Sequence, residues 1–193
     1  MWLLLTGEDM NAIPVPHLNI LVLCTGNSAR SIMAEALINV LGQGYLNVLG
    51  QGYLHAFSAG SRPVGSVNPL AVKLISKLGY SPSYLRSKSW NEFTGEEAPN
   101  MDIVITVCDN AANEACPNWP GKPIKLHWGF EDPAAASGSE ADKHQAFEQC
   151  FNLIRQKVEE LVGLSLHERS KPECVALLMG LSTSDQPLGE RSK

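Results

Sequence analysis

The stretch that most constrains this chain is Cys24-Thr-Gly-Asn-Ser-Ala-Arg-Ser31 together with its flanks. Before it, residues 18–23 (Leu-Asn-Ile-Leu-Val-Leu) make a short apolar run suited to a strand buried in a parallel sheet. After it, Ser-Ile-Met-Ala-Glu-Ala-Leu-Ile reads as a helix. Strand, tight loop and helix together hold an anion, because loop N–H groups and the positive end of the helix dipole converge on one point. A cysteine at such a mouth is expected to have its pKa lowered, since the site favours the thiolate. Arg30 can grip two oxygens of a tetrahedral oxyanion as a planar fork. A lone cysteine is more often a small core residue, but its companions set this one apart. Thr25, Gly26, Asn27, Ser28, Ala29, Arg30 and Ser31 have the spacing of an oxyanion loop. In it, Gly26 gives close backbone approach, Asn27 tolerates a left-handed conformation, and Ser31 can donate to the thiolate.

Composition narrows the field. A chain of 193 residues with 44% apolar and 18% charged residues suits one soluble globular domain with some tail. A net charge of −5 argues against nucleic acid as the partner. The opening Met-Trp-Leu-Leu-Leu lacks a basic flank and is too short for a secretory signal or a membrane span, so a cytoplasmic protein is expected. Five cysteines, Cys24, Cys108, Cys116, Cys150 and Cys174, favour catalytic or redox use over a disulfide framework. None lies in a Cys-x-x-Cys pair, so no metal site is expected.

Along the chain, residues 1–17 read as a flexible extension, 18–165 as the domain, and 166–193 as a weakly ordered tail. The helix after the loop should run from about residue 28 to 41, with Gly42 as its C′ stop. Residues 39–46 (Asn-Val-Leu-Gly-Gln-Gly-Tyr-Leu) recur unchanged as residues 47–54. Two copies of eight residues cannot make a solenoid. A tandem duplication with one copy looped out at a helix–strand junction is expected, since lengthening a loop costs little entropy. Further strands are expected at 55–58, 102–107 and 124–127. Helices are expected from Asn68 to Leu78, with Leu70, Leu74 and Leu78 on one face, and over 139–162, with Phe147, Phe151, Ile154 and Val158 on one face. The alternation predicts an α/β fold: a doubly wound four-stranded parallel sheet flanked by helices, with ligands at the carboxyl ends of the strands. Cys24 and Cys108 both fall there.

Displacing an oxygen from an oxyanion calls for a general acid. Asp132, in Glu131-Asp132-Pro133 after the fourth strand, is the candidate, held extended by the following proline. His127 and Trp128 read as packing residues, Cys150 as structural, and Arg62 and Arg86 as unplaced cations.

The combination of Leu23-Cys-Thr-Gly-Asn-Ser-Ala-Arg-Ser31, Ser58-Ala-Gly-Ser61, Val107-Cys-Asp-Asn-Ala111 and His127-Trp-Gly-Phe-Glu-Asp-Pro133 resembles the arsenate reductases of the low-molecular-weight protein-tyrosine-phosphatase superfamily. The resemblance implies that family's four-stranded sheet and a thiol relay. Cys24 attacks arsenate while Arg30 holds it, Asp132 protonates the leaving oxygen, and Cys108 then Cys116 carry the disulfide outward. It implies no bound cofactor but an external reductant, thioredoxin or glutathione with glutaredoxin, and phosphate or sulfate as mimics of the substrate. Where phosphatases of the family place tyrosines after Asp-Pro, this chain has Ala134-Ala-Ala136, which suits a small inorganic anion. Two rivals remain at this point. A phosphatase would need Cys24, Arg30 and Asp132 alone, and a thiol redox or metalloid sensor would need the cysteines without Asp132.

Overall fold

The computed structural model describes residues 18–42, 53–114, 117–166 and 171–182. Its centre is strand β1 (Leu18–Cys24), whose alternate side chains enter two different cores. Ile20 and Val22 point into the larger, with helix α1 (Arg30–Leu41) and helix α4 (Glu140–Gly163). Leu21 and Leu23 point into the smaller, with Phe93, Met101 and Trp119. A strand covered on both faces needs this unbroken apolar run, which is why residues 20–24 are buried without exception.

Strand β2 (Leu54–Gly60), β3 (Ile103–Thr106) and β4 (Ile124–His127) complete an all-parallel sheet in the order β2-β1-β3-β4. The chain leaves β1 for β2 on one side and returns to β3 on the other. The crevice between the carboxyl ends of β1 and β3 is therefore the switch point where such sheets bind ligands. Cys24 ends β1, paired with Gly60, and Leu23 is paired with Thr106, two residues before Cys108.

Helix α2 (Pro69–Ser76) starts where Asn68 caps the Leu70 N–H, and Gly79 ends the turn beyond it at φ +76°. It buries Ala71, Leu74 and Ile75, with Leu70 and Leu78 at the margin. Helix α3 (Asp109–Asn113) follows β3 directly. Helix α4 opens with a capping box between Ser139 and Asp142, and buries Phe147, Cys150, Phe151, Ile154, Val158 and Leu161 as its spacing requires. No helix among the described residues is long and apolar enough to cross a membrane.

Three expectations change. Helix α1 begins at Arg30 rather than 28, and Gly42 is right-handed at φ −67° rather than a left-handed stop. A Cβ there would lie 2.9 Å from Leu54 Cβ, so glycine is needed for close approach. The weakly ordered tail is corrected over helix α5 (Lys171–Ser182), where Leu178 is buried and Cys174 and Leu181 pack on the same core. Their i, i+4, i+7 spacing was readable, but the helix is apolar nearly all round and shows no amphipathic contrast. Of the octapeptide repeat, residues 39–41 finish α1, Gly42 caps it, and Tyr53 precedes Leu54, the first residue of β2. The intervening 43–52, and with them the looping out of one copy, lie outside the described residues, as do the extension 1–17 and residues 183–193.

Candidate active site

The loop after β1 is held by its carbonyls. Thr25, Gly26 and Ser28 accept from the N–H groups of Arg62, Val64 and Asn68, all in the segment that follows β2. Gly60, at the end of β2, is where that segment passes closest. A Cβ there would lie 2.5 Å from Thr25 O and 3.1 Å from Asn27 N, so glycine at position 60 is a steric requirement of the loop. At Gly26 a Cβ would meet nothing nearer than Val64 Cγ1, at 3.4 Å, so the close approach inside the protein belongs to Gly60. Asn27 takes φ +45°, the left-handed turn that asparagine tolerates.

With the carbonyls anchored outward, donors converge on the Cys24 sulfur. Asn27 N–H lies 3.1 Å from Cys24 Sγ and Ser31 Oγ lies 3.0 Å away. Cys24 is buried, and burial pushes its thiol above the ordinary value; the Ser31 and Asn27 hydrogen bonds pull it down, and Cys108 nearby raises it. The lowered pKa expected from the sequence is therefore reversed. Desolvation of a thiolate at a buried strand end outweighs the donors that the loop supplies.

Arg30, the first residue of α1, joins the nucleophile loop to the acid loop. One guanidinium nitrogen lies 2.9 Å from Asp132 Oδ2 and another donates to Phe130 O at 2.9 Å. Two of its five N–H donors are thus engaged across the crevice, while the fork remains a rigid bidentate ligand for an oxyanion. Asp132 caps the short 3₁₀ turn Pro133–Ala135 by accepting from Ala134 N–H at 3.1 Å, and stands partly exposed at the mouth. Ala134 and Ala135 are exposed beside it, so this rim carries no aromatic wall.

Cys108 is the N-cap residue of α3, buried at the end of β3. Its sulfur lies 3.7 Å from Thr25 Oγ1, against the loop that carries Cys24. The next residue, Asp109, reaches His127 Nε2 at 3.2 Å, and His127 Nδ1 meets Thr106 Oγ1 at 2.8 Å. His127 therefore braces the start of α3, and Trp128 is fully buried in the core, as packing roles predict. Cys116 lies outside the described residues. Cys150 sits behind the acid loop with its sulfur 3.9 Å from Glu131 O, and burial pushes its thiol up to about 12, which keeps it inert at neutral pH. Arg62 and Arg86 are paired with Glu114 and Glu92. Among the described residues, no group of three His, Cys, Asp or Glu side chains could hold a metal ion.

Sequence reasoning missed Glu35 and Lys88, both buried and 3.6 Å apart. The available signal was Glu35 itself, a carboxylate in the midst of the apolar run from Ile32 to Ile38.

A parallel four-stranded sheet with a cysteine–arginine loop at its switch point and an Asp-Pro turn paired with that arginine has the architecture of a phosphatase-like enzyme class. The chain belongs to the low molecular weight phosphotyrosine protein phosphatase family, whose family model matches residues 19–171. Within that family it is similar to the arsenate reductase of Halalkalibacterium halodurans (36% identical, covering 70% of this chain and 88% of that one). It is likewise similar to arsenate reductase 1 of Staphylococcus epidermidis (40% identical, covering 75% and 92%). A solved arsenate reductase in an oxidized state superimposes with a TM-score of 0.57 at 25% identity, over 76% of this chain and 97% of that one.

Proposed function

We propose that this protein reduces arsenate to arsenite with its own thiols, and that Cys24, Arg30, Asp132, Cys108 and Cys116 are the working groups. The similarity to curated arsenate reductases at 36–40% identity supports the activity. The observation that carries the mechanism is the second buried thiol at the crevice, Cys108, whose sulfur contacts the nucleophile loop at Thr25. Hydrolysis of a phosphate ester has no use for it.

In this reading the Cys24 thiolate attacks arsenic while Arg30 and the loop N–H groups carry the oxyanion charge. Asp132 gives a proton to the departing oxygen, and water leaves. Cys108 then attacks the Cys24 sulfur. A Cys24–Cys108 disulfide forms, the sulfur–arsenic bond breaks, and its electron pair stays on arsenic, which departs as arsenite. Cys116 attacks Cys108, which frees Cys24 and leaves a Cys108–Cys116 disulfide for an external dithiol such as thioredoxin. Glutathione with glutaredoxin is the other route: glutathione attacks the Cys24 sulfur of the adduct, the sulfur–arsenic bond breaks with its electron pair left on arsenic, arsenite departs, and glutaredoxin reduces the Cys24–glutathione disulfide, so that Cys116 is idle. Either reductant places the working protein in a reducing compartment, the cytoplasm.

Arsenate-dependent NADPH oxidation, measured with thioredoxin and separately with glutathione plus glutaredoxin, tests this. Cys24→Ser is expected to abolish turnover with both reductants. Cys108→Ser and Cys116→Ser are expected to abolish it with thioredoxin, and Asp132→Ala to slow it about 10²–10⁴-fold. No turnover with either reductant, beside robust hydrolysis of aryl phosphates, would make the protein a phosphatase.

A further inference from the structure

Helix α3 carries Cys108 as its N-cap residue, yet it is only five residues long. A helix of that length has no stability of its own, because fixing the first turn costs more entropy than its few hydrogen bonds return. Among its described side chains Ala111 is buried, whereas Asp109, Asn110 and Ala112 are exposed. The turn therefore depends on what grips its two ends.

At the start, His127 on β4 reaches Asp109 at 3.2 Å, and its other ring nitrogen lies 2.8 Å from Thr106 Oγ1. At the finish, Glu114 is the C-cap residue, and one of its oxygens lies 3.5 Å from an Arg62 guanidinium nitrogen. Arg62 is itself a fixed post. Its main-chain N–H donates to Thr25 O at 2.9 Å, flanked by the Ser61 N–H on Cys24 O and the Val64 N–H on Gly26 O. One residue thus holds the Cys24 loop by its backbone and the end of α3 by its side chain. Cys108 lies against that same loop, buried, with its sulfur 3.7 Å from Thr25 Oγ1.

We propose that Arg62 is a positioning residue for Cys108: by pinning Glu114 to the segment that supports the Cys24 loop, it keeps α3 closed and the Cys108 thiol turned into the crevice. In the proposed relay Cys108 works twice. It attacks Cys24 from this place, and its own sulfur is then attacked by another thiol, a step whose rate depends on access. A partly exposed ion pair is a hold of the right strength for both, since it shifts an equilibrium only about two- to fivefold. It favours the closed turn without locking it.

The inference rests on Cys108 being the second thiol of the proposed reduction, yet its test needs no arsenate. In the full chain carrying Cys24→Ser, which cannot form the first disulfide, the rate of Cys108 alkylation by iodoacetamide is followed by peptide mass. A buried thiol reacts through local opening, so adding Arg62→Ala should speed the reaction about two- to fivefold. The sign separates opening from electrostatics. Losing a cation near a thiol disfavours the thiolate and by itself slows alkylation, so an acceleration reports release of α3. Arg62→Lys keeps the charge and should stay near the parent rate, and the exchanged pair Arg62→Glu with Glu114→Arg should return to it. Potassium chloride at about 1 M should bring the parent up to the Arg62→Ala rate and leave Arg62→Ala where it is. An unchanged or slower rate in Arg62→Ala, or an exchanged pair as fast as Arg62→Ala, overturns the inference. A wild type without arsenate turnover overturns the reduction instead, and leaves the alkylation rates to decide on Arg62.

Discussion

Cys24, the proposed nucleophile, is held in tension between its surroundings and its donors. Its sulfur has the Asn27 N–H and the Ser31 hydroxyl, yet burial leaves the thiol above its ordinary value. The sign of the consequence follows from linkage. A pKa raised on folding means that the folded protein keeps the thiol proton more tightly than the unfolded chain does. This favours folding below the ordinary thiol pKa, and the benefit is lost as pH rises through the raised one. Alkylation of Cys24 in the folded protein should therefore go on accelerating at pH values where a denatured peptide has already reached its plateau. Coincident profiles would show that the donors cancel burial. Arg30 is the second residue whose geometry matters more than its charge, because it spans from the loop to Phe130 O and Asp132. Arg30→Lys keeps the charge but loses the fork, and should lower kcat/KM for arsenate about 10²–10³-fold.

At the scale of elements, two contacts separate steric necessity from general burial. A Cβ on Gly60 would press into Thr25 O at 2.5 Å, which is backbone and cannot swing aside. Gly60→Ala should cost about 1–3 kcal/mol in urea denaturation and reduce activity further than the stability loss accounts for, because the nucleophile loop itself must shift. Helix α5 is tested at Leu178, which is buried with its neighbours on the same core as α1 and α4. Leu178→Ala should destabilise by about 2–5 kcal/mol if α5 is part of the folding unit, and leave the midpoint unmoved if it is not. The elements themselves were legible where periodicity was strong. The buried run of β1, the apolar stripe of α4 and the Asn68 cap of α2 all lie where local chemistry puts them. Helix α5 was not legible, since its sequence offers apolar residues on every side and only docking selects among them.

For the molecule as a whole, the crevice between β1 and β3 is where binding and stability meet. A tetrahedral oxyanion that binds the folded loop and not the unfolded chain must raise the melting temperature in proportion to the logarithm of its concentration. Saturation to a hundredfold excess over Kd is worth about 2.7 kcal/mol. Inorganic phosphate, as a mimic of arsenate, should therefore stabilise the wild type, and Arg30→Lys should lose most of that increment. Equal increments in both proteins would place the anion elsewhere.

Read alone, the chain picks out the Cys24–Ser31 loop, the strand that presents it and the Asp132-Pro133 turn. Each of these depends on residues adjacent in the chain, whose conformations are set by local sterics, capping and apolar spacing. It also placed Cys24 and Cys108 at strand ends, without saying that those ends are neighbours. Folding alone brings β3 beside β1, Arg30 to Asp132 and Lys88 to Glu35 behind the loop. It also reversed the expected direction of the Cys24 pKa. The physical reason is common to all four. Desolvation and charge pairing depend on what surrounds a group in space, and that is fixed only when the sheet has closed around it.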